Sequence, residues 1–172
     1  VNYQIPEMII VGVDTEKRFR DLTPIASTRQ PDGEEAKSPE QKLMMQSSGG
    51  GEKFLQFLKE EVFTYIEQHY RTNPFRIYIG HSLGGLTATY TFLKHPELFN
   101  ATISIDPSLW WDSAKYVNEA PTLLKNLPAD KMRKYYVSVI DSVSYGGRLQ
   151  FHSNAIFNIG KAMSAIHSKN LQ

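Results

Sequence analysis

The sequence predicts an α/β fold, a mostly parallel sheet with helices on both faces. Short apolar runs rich in Ile, Val and Tyr alternate with stretches of helical periodicity along the whole chain. One of the runs, Met8 to Val13, is continuous rather than alternating, as in a strand buried on both sides. None approaches the ~20 apolar residues needed to cross a bilayer, so no membrane span is expected.

Each element follows in order. Met8 to Val13 is an apolar run closed by Asp14 and reads as a buried strand. Residues 15–51 are polar and turn-rich, with "RQPDGEEAKSP" and "QSSGGG", and read as a long loop or lid-like insertion. In "GEKFLQFLKEEVFTYIEQHYRTNP", Phe54, Leu55, Leu58, Val62 and Ile66 share one helical face, and Asn73-Pro74 ends the pattern. Then come a strand over Phe75 to Ile79, a helix-compatible run ending at Pro96, the strand "ATISID", a mixed loop with "PSLWWD", the strand "MRKYYVSVID" and a helix through "LQFHSNAIFNIGKAMSAIHS". The whole reads as a single domain over residues 1–172.

Composition removes several function classes. A net charge of +1 with both signs interspersed gives no basic face for nucleic acid. The absence of cysteine excludes disulfides, thiolate metal sites and a Cys nucleophile, and leaves the compartment open. No His-x-x-x-His and no carboxylate triplet at ligand spacing is present, so neither a metal nor a cofactor is implied. The chain begins at Val1, and the natural N-terminus is expected elsewhere.

The motif that carries chemistry is Gly80-His81-Ser82-Leu83-Gly84, a G-x-S-x-G pattern with a strand leading in and a helix leading out. A serine on such a turn, at the carboxyl end of a strand, projects its hydroxyl into a cleft. Glycines let the neighbouring backbone pass closely. The helix start places free N–H groups beside it, so the Leu83 amide becomes half of an oxyanion hole once Ser82 attacks a carbonyl. The competing reading is a glycine-rich turn without chemistry. Phosphate binding fits poorly, because the P-loop requires Lys after its last glycine and Leu86 follows Gly85 here.

At these residues the chain resembles the esterase D-like family of α/β-hydrolases, which includes enterochelin (siderophore) esterases. "IIVGVD", "RFRDLTP", "RIYIGHSLGGLTA", "HPELFNATISIDPSLWWD" and "YYVSVID" carry the resemblance, which spans nearly the whole chain. It implies hydrolysis of a small-molecule carboxylic ester by Ser82 through an acyl-enzyme, possible siderophore substrates included. Relatives that transfer the acyl group to another alcohol, and a non-catalytic binding protein of the same fold, stand as alternatives. The start of the chain resembles the fourth strand of that fold, so the first strands and the last are expected outside this sequence.

A serine nucleophile needs a base, and the base is usually oriented by a carboxylate. The family order is Ser, acid, His. Asp141, closing "YYVSVID", is the preferred acid, and Asp106 is second because "DPS" is equally a turn signal. Among the histidines, His81 is too near Ser82 and reads as cleft lining or packing. His69 and His95 end helices, and His152 and His167 read as exposed helix residues. The base is therefore expected beyond Gln172. Trp110 and Trp111 either line the cleft for an acyl or aryl group or pack in the core. Arg20 either binds an anionic substrate or braces the loop by pairing with Asp21.

Overall fold

The computed structural model describes residues 6–29, 34–128, 130–140 and 150–166. Its elements are α1 (Arg18–Asp21), α2 (Pro39–Gln46), α3 (Gly51–Phe57), a π-helical stretch (Leu58–Val62), α4 (Phe63–His69), β1 (Ile77–His81), α5 (Leu83–Lys94), β2 (Ala101–Ile105), α6 (Trp111–Lys125), β3 (Lys134–Ser138) and α7 (Gln150–Ser164).

The three strands pair in parallel in the order β1-β2-β3. Their register sets Tyr78, Thr102 and Tyr135 side by side on one face, followed by Gly80, Ser104 and Val137. That face receives α5, a helix buried along most of its length. Two of its threonines bind it in place, and a third is satisfied within the helix. Thr87 donates to the Leu22 carbonyl at 2.7 Å, and Thr89 meets the Gly85 carbonyl, the Ser104 hydroxyl at 3.0 Å and the Tyr135 hydroxyl at 2.8 Å. Thr91 bonds back to the Thr87 carbonyl. A polar group this deep is costly unless paired, so these bonds fix helix position as well as satisfying the hydroxyls. The opposite face carries Ile79, Ile103 and Tyr136 in register, with Ile79 61% and Tyr136 59% exposed.

Several expectations need correction. The strand at Met8 to Val13 is not formed: the segment has no regular structure, and Ile10 is 91% exposed. An apolar run becomes a strand only where a neighbour accepts its backbone ladder, and no described strand pairs with it. The stretch 15–51 holds α1 and α2. The latter starts with a capping box in which Ser38 and Gln41 bond each other's backbone, with Pro39 in the first turn. The region read as a loop after "PSLWWD" is largely α6. Tyr116, Val117, Ala120 and Leu124 form its buried face, while the left-handed turn at Asp112, Ser113 and Ala114 and the internal Pro121 obscure it in the sequence. The helix over Gly51 to His69 is interrupted by the π-helical stretch, and Leu55 and Leu58 are buried as the periodicity predicts.

Candidate active site

Ser82 is the joint between β1 and α5. Its backbone has φ 57° and ψ −118°, a region that costs an L-residue roughly 1–3 kcal/mol and persists only where the surroundings impose it. The surroundings do so from three sides. The Ser82 N–H donates to the Ile105 carbonyl at 3.1 Å, and the Ser82 carbonyl accepts from Leu86 N–H at 2.9 Å and from Ser108 N–H at 3.0 Å. Gly80 lies so close to the next turn that a Cβ there would stand 2.8 Å from the Gly85 nitrogen and nearer still to the Gly84 carbonyl. A Cβ on Gly85 would stand 2.9 Å from the Pro107 Cβ, whereas one on Gly84 would meet nothing within 4 Å. Packing thus requires glycine at 80 and 85; at 84 it leaves room.

Although Ser82 occupies the N-cap position, its hydroxyl caps nothing. Its contact is the Ser108 hydroxyl, at 3.3 Å. Leu83 opens α5, and an N–H in the first turn has no helical carbonyl to bond. Two hydrogen-bonding functions therefore converge at one sheet end: a hydroxyl held outside the cap and backbone donors at a helix start.

Beside the elbow, Asp106 follows β2 with φ 44°. Its N–H donates to the Ser138 carbonyl, and its Oδ1 accepts from the Ile140 N–H at 2.9 Å and lies 2.8 Å from His152 Nε2. One carboxylate thus ties β2, the chain after β3 and α7.

A family model described as Putative esterase matches residues 2–158. The chain belongs to that family. Among curated proteins it is 35% identical over 119 residues to the ferri-bacillibactin esterase BesA of Bacillus subtilis, covering 63% of this chain and 38% of that protein. It is 29% identical over 116 residues to the siderophore enterobactin esterase of Emericella nidulans, covering 63% of this chain and 36% of that protein. The chain spans less than half the length of these curated relatives. Among solved structures, the IroE-like serine hydrolase of Shewanella oneidensis superposes with a TM-score of 0.68 at 25% identity, covering 91% of this chain and 48% of that one. The BES protein of Bacillus cereus gives 0.71 at 22% identity, covering 95% and 58%, and is a likeness of fold alone. These likenesses establish an α/β-hydrolase-type fold for the chain.

The other predicted site residues are distributed unevenly around the elbow. His81 is exposed at the end of β1, and Trp110 is half-buried with its ring 5.7 Å from that of Trp111. Trp111 is a core residue. It is fully buried, packs on Phe19 and donates its indole N–H to the Ile25 carbonyl at 2.9 Å, so it does not line an open cleft. Asp141 and His167 lie outside the described residues. His152, expected exposed, is buried, because α7 turns it inward onto Asp106. His69 bonds the Tyr65 carbonyl at the end of α4, and His95 pairs with Glu52. Arg20 braces the loop as a bidentate partner of Asp21, which holds that carboxylate below its usual range.

Ser108 and the Asp106–His152 pair are what sequence reasoning missed. "DPS" signals a turn at 106–108 but carries nothing about which strand or helix that turn faces.

Proposed function

We propose that the protein is a serine esterase acting on carboxylic esters, with Ser82 as nucleophile. The observation that carries the reading is Ser82 itself: a non-glycine residue held at φ 57° on a strand-to-helix joint, with a hydroxyl that serves no cap. With ψ −118° it lies outside the left-handed basin that the turn at Asp112, Ser113 and Ala114 occupies at positive ψ, and a conformation this costly supports a functional reason for it.

In the proposed reaction Ser82 Oγ bonds to the ester carbonyl carbon while its proton passes to a base, and the carbonyl oxygen becomes an oxyanion. The Leu83 N–H, beside the positive end of α5, bonds that oxyanion. Collapse expels the alcohol, which takes the proton back, and leaves an acyl-enzyme. Water then repeats the sequence and releases the acid.

We assign the base to a histidine outside the described residues and the orienting carboxylate to Asp141. Two observations support this over the nearer pair. His152 already spends Nε2 on Asp106, and the Asp106 oxygen is shared with the Ile140 N–H. Exposed His81 and half-buried Trp110 are assigned to substrate contact.

The names of the relatives, ferri-bacillibactin esterase and enterobactin esterase, favour siderophore esters as the substrate class. The test is hydrolysis of a p-nitrophenyl ester and of a ferric catecholate trilactone by the full-length protein and its Ser82→Ala variant, followed by chromatography of the products. Turnover of both, abolished in the variant, is expected. Equal turnover in the variant would remove Ser82 from the mechanism, and turnover of the simple ester alone would remove the siderophore assignment.

A further inference from the structure

We propose that Ser108 is a positioning residue for the nucleophile, acting through its hydroxyl; the proposal rests on the reading of Ser82 as that nucleophile. Ser108 is 4% exposed, so its side chain is not a solvated surface hydroxyl. It grips Ser82 twice: its N–H holds the Ser82 carbonyl at 3.0 Å, and its Oγ stands 3.3 Å from the Ser82 Oγ.

The two contacts do different work. The backbone bond helps keep Ser82 in its positive-φ conformation and survives any side-chain change at 108. The hydroxyl contact acts on the reacting atom alone. At 3.3 Å it is longer than the usual 2.7–2.8 Å of a hydroxyl pair, a weak restraint that biases the Ser82 rotamer without trapping its proton. Resting-state contacts of this kind commonly tighten once substrate is bound.

What makes the hydroxyl dependable is the turn that carries it. Asp106, two residues earlier, is fixed to the chain after β3 through Ile140 N–H and to α7 through His152, and Pro107 between them is fully buried against Gly85. The turn therefore spans from α7 to the elbow with little freedom. Positioning of a reacting group within a fraction of an ångström is what such a support supplies.

The test compares wild type with Ser108→Ala and Ser108→Thr in the full-length protein. The readouts are the second-order rate of fluorophosphonate labelling at Ser82, kcat and KM on p-nitrophenyl acetate, and the thermal midpoint. Ser108→Ala is expected to slow labelling and lower kcat by about tenfold, the effect of one hydrogen bond of ordinary strength, with KM within about twofold and the midpoint unchanged. Ser108→Thr, which keeps a hydroxyl, is expected to recover most of the rate. Labelling of Ser108→Ala at the wild-type rate would overturn the positioning role while leaving Ser82 as the nucleophile. Wild-type protein that fails to label at all would overturn both.

Discussion

Replacing Gly80 by alanine places a methyl group where the elbow has no room. The added carbon would stand 2.8 Å from the Gly85 nitrogen and closer to the Gly84 carbonyl, all of it backbone at the start of α5. A flexible side chain could swing away from such a clash; a helix turn held by Thr87 and Thr89 cannot without shifting as a unit. Overpacking of a core costs typically 1–3 kcal/mol, and the rigidity of these neighbours places Gly80→Ala near about 3 kcal/mol. Gly84→Ala is the matched control. It adds the same methyl group in the same turn, meets nothing within 4 Å, and should cost nothing or gain up to about 0.5 kcal/mol from helix propensity. Urea unfolding of the two variants beside wild type, with ester hydrolysis measured on each, reads both effects. Gly80→Ala is expected to be strongly destabilised and inactive, and Gly84→Ala to be near wild type in stability. If Gly80→Ala unfolds within about 0.5 kcal/mol of wild type, the range of an ordinary surface change, the close approach of β1 and α5 is wrong.

His152→Ala removes the partner of Asp106 and should cost about 1.5–3 kcal/mol, the range for a hydrogen bond to a charged group, while fluorophosphonate still labels Ser82. Folded His152→Ala protein that no longer labels would make His152 the base. Stability should also fall above pH 10. Burial pushes the phenols of Tyr78 and Tyr135 up from their ordinary value, so the unfolded chain releases their protons first and the folded state is penalised as pH rises. The slope expected is about 1.4 kcal/mol per pH unit for each tyrosine held neutral, and urea midpoints from pH 9 to 11.5 should show it, less steeply in Tyr135→Phe. At the acid end, burial opposes ionisation of Glu52, but hydrogen bonds from Tyr90 and His95 outweigh it and hold the carboxyl below its usual range. Its contribution is present above the ordinary carboxylate pKa and lost as pH falls through the lowered one, so Glu52→Gln should lose less stability between pH 5 and pH 3 than wild type.

The elbow was legible because it is local: five residues, a strand before and a helix after, all within a short span of chain. The same holds for the buried face of α3 and for the helix ends at His69 and His95. What escaped were features set by distant partners. Met8 to Val13 has a strand's composition, but a strand is a relation between two segments, and nothing in the run itself says whether a neighbour is engaged. The inward turn of His152 depends on Asp106, 46 residues earlier, and an isolated histidine on a helix gives no sign of it. Ser108 is likewise separated from Ser82 by 26 residues and becomes visible only when β2 is laid beside β1. Trp111 and Trp110 are adjacent and chemically identical, yet one is sealed in the core and the other is half-buried, a difference that the start of α6 decides.

The central claim is that Ser82 is an activated nucleophile. Incubating the full-length protein and its Ser82→Ala variant with a fluorophosphonate, digesting both and mapping the adduct by mass spectrometry tests it most directly. The account predicts a single phosphonylated peptide containing Ser82, absent from the variant. Folded wild-type protein that stays unlabelled, or an adduct that persists in Ser82→Ala, would contradict it.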